Sequence, residues 1–203
     1  MRGFVATMGA VISIATTVAC TPAPGGSDFA RDIDDREAYA VYASLLPNEW
    51  IVKVAGAKTL VIQKEAATNW ECMPTGQPLE TGWRPVVDGF RAANRIVHNL
   101  VPGHNLGRPY RVVSSADIKS IFKEGQNDPM FGWTTFYRRY PDSGGFMLFS
   151  AVGFDGDKRR AMVYIAHHCG ALCGGGEHHF LEKVNGVWRE VIIPGVTRRL
   201  WVS

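Results

Sequence analysis

Residues 160–193 read RAMVYIAHHCGALCGGGEHHFLEKVNGVWREVII, and this stretch decides the predicted fold. It contains three runs of apolar, β-branched and aromatic residues that are typical of strands, at residues 160–168, 178–184 and 187–193. A glycine-rich segment separates the first two runs. Asn185-Gly186, the strongest short hairpin signal, separates the last two. The stretch therefore predicts an antiparallel β-meander.

The segments before this stretch complete the predicted architecture. Strand composition also occurs at residues 131–140 and 146–154, and in shorter runs at residues 50–54, 59–63 and 110–113. Helical spacing occurs at residues 29–46 and 88–100, and a polar loop is expected at residues 69–85. Ser114 and Asp117 form a capping box for a third helix. Helices followed by strands predict an α+β domain, with N-terminal helices packed on a C-terminal antiparallel meander formed largely by residues 131–203.

The N-terminus has the pattern of a secretory signal peptide, which we assign to residues 1–19. One basic residue precedes an apolar run at residues 4–18, and a small residue lies directly before Cys20. A Cys at the cleavage position favours a lipid anchor on Cys20. Ordinary secretion is the alternative, because Thr17 stands where a lipobox usually has Leu.

The rest of the chain is organised as a flexible linker, residues 20–27, and one domain, residues 28–203. Hydrophobic residues make up 46% and charged residues 20% of the sequence, as in ordinary globular proteins. The formal net charge is only +3 and the basic residues are dispersed, so nucleic-acid binding has no electrostatic support. We therefore expect an exported protein in the periplasm or cell envelope, attached to a membrane through its lipid.

A short segment, residues 167–179, concentrates side chains that ligate metals, since it holds four of the six His and two of the four Cys. Pairing of strands across the glycine-rich turn would place His167 near His178. A Zn²⁺ or copper ion could then bind His167, His178, Cys169 and Cys173. A disulfide between Cys169 and Cys173 is the favoured alternative, because exported proteins meet an oxidising compartment and the spacing matches no established zinc motif.

The same segment allows a third interpretation, in which Cys169 or Cys173 is a nucleophile and His167 or His168 its base. Side chains alternate along a strand, so His168 and Cys169 point to opposite faces, which argues against this pairing. No established catalytic motif is found elsewhere in the sequence. The balance favours a protein that is not an enzyme.

An aromatic run at residues 131–140 offers another candidate site. Trp133, Tyr137 and Arg138 could form a platform on which a flat ligand, such as a sugar ring, stacks. The favoured alternative is that the aromatic side chains of this strand pack into the core.

Three short motifs resemble a family of uncharacterised exported bacterial (lipo)proteins: CGALCGGG at residues 169–176, GVW at residues 186–188 and WVS at residues 201–203. The resemblance covers the C-terminal part of the chain and depends mainly on the C-G-x-L-C-G-x-G pattern. It implies a structural hairpin near the C-terminus and assigns no catalytic residue.

These observations predict a lipid-anchored envelope protein that binds a small ligand or another envelope protein without catalysing a reaction. No resident cofactor is expected under this interpretation. The alternative is a Zn or Cu protein, or a metal-dependent enzyme, that uses the His and Cys residues of the segment 167–179. A concave pocket with converging polar groups would favour a small ligand, whereas a flat sheet face would favour a protein partner.

Overall fold

The computed structural model describes residues 30–68, 73–74, 79, 82–123 and 129–202. The signal peptide, Cys20 and the linker predicted from the sequence lie outside these residues, as does most of the predicted loop at residues 69–85. In the described part of the chain, no helix is both long enough and apolar enough to cross a bilayer.

Helices are concentrated in the N-terminal part of the chain and strands in the C-terminal part, which confirms the α+β class. The helices are α1 (Arg36–Leu45), α2 (Trp50–Lys53), α3 (Arg84–Ala93), α4 (Ser115–Lys123) and α5 (Pro129–Arg139), and a 3₁₀ turn (Leu46–Asn48) joins α1 to α2. The strands are β1 (Arg31–Ile33), β2 (Leu60–Gln63), β3 (His98–Leu100), β4 (Tyr110–Val113), β5 (Phe146–Phe149), β6 (Gly153–Phe154), β7 (Arg160–Gly170), β8 (Cys173–Val184), β9 (Val187–Val191) and β10 (Arg199–Val202).

The main sheet is mixed rather than a purely antiparallel meander. Its strand order is β10-β8-β7-β5-β2-β4, with β6 paired to β7 and β9 paired to β8. Pairs among β5 to β10 are antiparallel, as the sequence predicts. The two strands from the N-terminal half, β2 and β4, extend the sheet through parallel pairs. A separate two-stranded parallel sheet joins β1 to β3.

The longest pairing in the molecule is the β7–β8 hairpin, and β9 continues it through the predicted Asn185-Gly186 turn. Both turn residues have positive φ, 51° at Asn185 and 80° at Gly186. A two-residue hairpin turn of this kind matches the twist of its strands, and Asn-Gly tolerates the backbone it needs. The sequence signal for this turn is confirmed.

The sheet is covered on both faces, which explains the nearly continuous apolar run in β7. Ala161, Val163 and Ile165 belong to the core beneath α1, where Tyr42 stacks on Phe149 with ring centroids 4.8 Å apart. The alternate residues of β7 face α3, in a core that comprises Met162, Tyr164, Ala166, Phe90 and Phe180. A third cluster joins α4 and α5 to β5. The end of the β7–β8 hairpin lies next to α2, where the ring of His167 stacks on that of Trp50.

Two of the predicted strands are helices in the structure. Residues 131–140 fall largely in α5, where the aromatic residues recur at helical spacing, at positions 133, 136, 137 and 140. Residues 50–54 contain α2, because the backbone amides of Val52 and Lys53 donate to the carbonyl of Glu49 after the 3₁₀ turn. Short apolar runs do not distinguish a strand from a helix by periodicity alone.

Two of the predicted helices are shorter than expected. The first begins at Arg36 rather than at residue 29, because the Asp35 carboxylate accepts a hydrogen bond of 2.9 Å from the Glu37 amide and caps it. The second ends at Ala93 and is followed by β3. Asn94 ties this end to the core, since its amide donates to the carbonyls of Phe90 and Ala151. The Ser114–Asp117 capping box of α4 is confirmed.

Candidate functional site

A disulfide joins Cys169 to Cys173 at the end of the β7–β8 hairpin, with their Cα atoms 5.0 Å apart. This is the pairing that the sequence favours. The bridge closes over a two-residue tip, and the Tyr137 hydroxyl donates a 2.7 Å hydrogen bond to the Cys169 carbonyl, which ties the tip to α5. Both sulfur atoms are covalently occupied, so in this state neither is a metal-binding thiolate or a nucleophile.

The expected metal set is not assembled. Strand β8 begins at Cys173 rather than at residue 178, so His167 lies opposite Gly175 and His178 lies opposite Tyr164. Side chains alternate along each strand, and His167 and His178 therefore lie on different faces of the sheet. Within the described residues, no group of three or more His, Cys, Asp and Glu could hold a metal ion. The placement of His167 beside His178 was wrong because the glycine-rich segment is strand rather than turn.

His178 is a core residue. It is fully buried, and its ring lies 5.4 Å from that of Phe90 and 5.3 Å from that of Tyr164, between centroids. Neither ring nitrogen has a hydrogen-bond partner in the structure. Burial lowers the pKa of His178 to about 3, so the ring is neutral across the physiological range.

His168 is also held by aromatic packing. Its ring centroid lies 5.0 Å from that of Phe146 and 5.1 Å from that of Trp201. Burial lowers the pKa of His168 to about 4. A role as a base for Cys169 finds no geometric support, because Cys169 is bridged to Cys173.

The proposed aromatic platform does not exist as a surface. Trp133 is buried on α5 against the rings of Phe122, Phe136 and Phe146. Tyr137 is half-buried and points towards the hairpin tip, whereas Arg138 is exposed. Trp133 and Phe136 therefore belong to the core and Tyr137 packs against it, which is the alternative that the sequence favours, whereas Phe131 is 45% exposed.

A cleft of about 550 Å³ opens between α2 and the end of the β7–β8 hairpin. Its walls come from four places in the sequence: the α2 segment, the hairpin, strand β9 and the C-terminal strand. The described lining residues include Glu49, Trp50, Lys53, Val54, His167, Leu172, Glu177, His179, Glu190, Arg198 and Val202. Two lining residues, His167 and Cys173, were predicted site residues.

A chain of ionisable groups forms the floor of the cleft, with His179 at its centre. His179 is 3% exposed, and its Nδ1 lies 2.8 Å from Oε1 of Glu190, which also accepts a hydrogen bond from Arg198. On the other side, Nε2 of His179 lies 3.5 Å from Oε1 of Glu49, which is 9% exposed. One imidazole therefore lies between two carboxylates.

The burial of this chain changes the pKa values of its members. Burial raises the pKa of Glu49 to about 7, against the opposing charge of His179. Burial alone would lower the pKa of His179, but the hydrogen bond to Glu190 and the charge of Glu49 outweigh it and the pKa is raised. The pKa of Glu190 is lowered, because its bonds with His179 and Arg198 outweigh its burial. Buried, strongly perturbed groups in a cleft are typical of functional sites.

The walls of the cleft carry one more carboxylate, that of Glu177, and several exposed apolar side chains. Glu177 extends from β8 on the same face as His179, and no hydrogen bond or ion pair to its carboxylate is made within the described residues. Apolar side chains surround the opening, with exposed fractions of 38% for Trp50, 64% for Val54, 88% for Leu172 and 66% for Val202. The His167 ring stacks on the Trp50 indole, with centroids 5.5 Å apart and planes 6° from parallel.

Comparison with known proteins assigns no family to the chain: it matches no protein-family model, no curated protein and no solved structure. The resemblance to exported bacterial proteins therefore stays a prediction.

Proposed function

We propose that the chain is an exported, lipid-anchored module that binds a small ligand in the cleft between α2 and the β7–β8 hairpin. The observation that carries the proposal is the convergence of two nine-tenths-buried ionisable side chains, Glu49 and His179, on the floor of an open cavity. Export and lipid attachment are supported by the sequence of residues 1–20.

The energetic cost of this arrangement supports a functional role. Transfer of a carboxylate and an imidazole out of water is unfavourable unless both are fully paired, and apolar side chains of similar size would stabilise the fold as well or better. Nε2 of His179 is buried without a hydrogen-bond partner. A ligand in the cleft could supply the hydrogen-bond partner that this buried atom lacks.

The shape of the site favours a small molecule over a protein partner. The cleft is concave, a few polar groups converge on its floor, and apolar side chains surround its opening. Small-ligand sites commonly combine these three features. Because Cys169 and Cys173 are bonded to each other, a Zn or Cu site at that pair is not part of the proposal.

Amide NMR of the purified chain tests the proposal directly. A library of small cationic, anionic and neutral aromatic fragments is titrated, and shifted amides are mapped onto the sequence. We expect the shifts to concentrate at residues 48–54 and 174–179. Gly175→Leu should abolish them, because Gly175 lines the cleft and an added Cβ makes only ordinary contacts there, 3.4 Å from His167 Cε1.

Gly156→Leu is the matched control, since Gly156 is exposed on the β6–β7 turn with open space around it. Fragments should shift the same amides in this control as in the natural chain. Shifts that persist in Gly175→Leu, or that map away from the cleft, would contradict a binding role for it. Gly175→Val, a smaller and β-branched change, serves if the leucine variant does not fold.

A further inference from the structure

We infer that the ligand of the cleft carries a protonated amine next to an apolar group, with Glu177 and Glu49 binding the ammonium and Trp50 contacting the apolar part. This inference rests on the proposed function, since it names the chemical class that the cleft accepts.

Among the carboxylates that line the cleft, Glu177 alone forms no ion pair within the described residues. Three carboxylates line the cleft, those of Glu49, Glu177 and Glu190. Arg198 and His179 both bond to Glu190, and His179 also faces Glu49. Glu177 has no cation of its own within the described residues. Lys53 is exposed on α2 and forms no ion pair there.

A second observation is independent of this charge balance. Glu49 is nine-tenths buried and lines the cleft, and its one ion pair within the described residues is with His179, whose Nε2 lies 3.5 Å from Oε1. Its carboxylate accepts no hydrogen bond from the described residues, so it keeps acceptor capacity for a ligand in the cleft. A primary ammonium supplies three donors and a positive charge, and so could bond to Glu49 and Glu177 together.

The side chains at the opening of the cleft indicate which group the ligand carries beside its amine. The exposed apolar side chains of Trp50, Val54, Leu172 and Val202 lie at the opening, within the same cavity as the carboxylates. His167 packs against the Trp50 indole and holds it in place. A ligand with a cationic end and an aromatic or aliphatic end would match the polar floor and the apolar opening together.

An anionic ligand and a metal ion fit the site less well. An anion would meet the unpaired Glu177, and Arg198 is already bonded to Glu190, which leaves the anion only Lys53, exposed on α2, among the described lining residues. A divalent metal would need several ligands at short distances, and no such group of side chains is present in the described residues. An organic cation needs no such set of ligands at short distances.

The affinity of the cleft for an ammonium ligand should depend on pH. Burial raises the pKa of Glu49 to about 7, so the Glu49 carboxyl of the empty site is partly protonated at neutral pH. The carboxyl must lose this proton before it can pair with an ammonium. Affinity should therefore rise from about pH 6 to about pH 8. The charges that act on Glu49 are those of His179 and Glu177 on β8 and of Glu190 on β9. The other charged and titratable groups that line the cleft are His167 on β7, Lys53 on α2, and Arg198.

Three probes of matched shape test the inference: phenethylamine, phenylethanol and phenylacetate, titrated into the purified chain by amide NMR. They differ only in whether the polar end is cationic, neutral or anionic. We expect phenethylamine to bind in the cleft roughly tenfold more tightly than phenylethanol, and phenylacetate to bind most weakly. The affinity for phenethylamine should rise from about pH 6 to about pH 8.

Two variants localise the effect. Glu177→Gln should weaken phenethylamine binding roughly tenfold while leaving phenylethanol binding unchanged, because only the charge is removed. Glu49→Gln should remove the pH dependence. Glu182→Gln is the matched control, since Glu182 lies on the same strand but pairs with Arg160 away from the cleft. It should bind like the natural chain.

The outcomes separate this inference from the proposed function. Cleft binding of phenylethanol or phenylacetate that equals or exceeds that of phenethylamine overturns the cation assignment but leaves a ligand-binding cleft. Tight binding of Zn²⁺ alone to Glu49 and Glu177 would also overturn it. If no probe shifts the cleft amides, the amine assignment fails, and the fragment library then decides whether the cleft binds anything.

Discussion

At the scale of single residues, two neighbouring histidines illustrate how strand alternation separates core from site. His178 faces α3 and is enclosed by Phe90 and Tyr164, whereas His179 faces the cleft and bonds to Glu190. Burial lowers the pKa of His178, while the carboxylates around His179 raise its pKa. Adjacent residues of one type therefore respond to acid in opposite ways because they lie on opposite faces of one strand.

His178→Leu should make the protein more resistant to acid. The folded-state pKa of His178, about 3, lies below the unfolded value of about 6.5, so the unfolded chain takes up the proton first as pH falls. Each pH unit below about 6.5 then costs roughly 1.4 kcal/mol of unfolding free energy until the folded pKa is reached. Urea unfolding at several pH values measures this loss, which the variant should lack.

The unfolding free energies of the natural chain and of His178→Leu are best compared first at about pH 8. His178 is neutral there in both the folded and the unfolded natural chain, so the difference reflects packing alone. The two unfolding free energies should then diverge as pH falls. Parallel curves would show that His178 does not contribute to acid sensitivity. His178→Met gives a second apolar variant if leucine packs poorly against Phe90.

At the scale of secondary-structure elements, the hairpin strand β8 makes a close contact with the C-terminal strand β10. Trp201 lies opposite Gly176, and its indole Nε1 donates a 2.8 Å hydrogen bond to the Tyr164 hydroxyl. A Cβ at Gly176 would collide with both of these groups. The absence of a side chain at Gly176 therefore allows Trp201 on β10 to bond to Tyr164 on β7 across β8.

Gly176→Ala should weaken the fold and loosen β10. The added methyl group must displace either Tyr164 or Trp201, and overpacking of this kind costs roughly 1–3 kcal/mol. Urea unfolding and hydrogen exchange at the β10 amides measure the effect. Gly175→Ala is the matched control on the adjacent position, where an added Cβ meets nothing closer than 3.4 Å. Equal stability of the two variants would contradict the close contact.

The sequence predicts those elements whose signals are local. The Asn185-Gly186 turn and the Ser114 capping box are confirmed because turn and cap chemistry depends on adjacent residues. Helix α5 was predicted as a strand, since its aromatic residues fit the alternating period as readily as the helical one. The hairpin register was wrong because the segment 174–177, which is mainly glycine, carries no periodicity of its own.

At the scale of the whole molecule, the candidate site is assembled from segments far apart in sequence. The fold brings Glu49 from the turn after α1 to His179 on β8, to Glu190 on β9 and to Arg198 before β10. None of these residues belongs to a local motif. The disulfide could be predicted from spacing and compartment, but the cleft could not, because it depends on how α2 packs beside the hairpin.

Cys20→Ser should release the protein from membranes if Cys20 carries the lipid. A lipidated cysteine with more than one acyl chain binds a bilayer stably, whereas the domain offers no spanning helix in its described part. Fractionation of expressing cells, with mass spectrometry of the N-terminal peptide, measures the attachment. A serine variant that stays with the membrane, or a natural chain without acyl mass, would favour simple secretion or another mode of attachment.

The arrangement of the cleft also has a consequence for biosynthesis. A ribosome delivers Glu49 well before its partners His179, Glu190 and Arg198, and the wall residue Val202 follows them. Strand β2 likewise cannot complete its pairing until β5 has been synthesised. A nascent chain therefore has no cleft, and a chain cut short before β10 would lack one wall. Ligand occupancy would report that synthesis of the described sheet is complete.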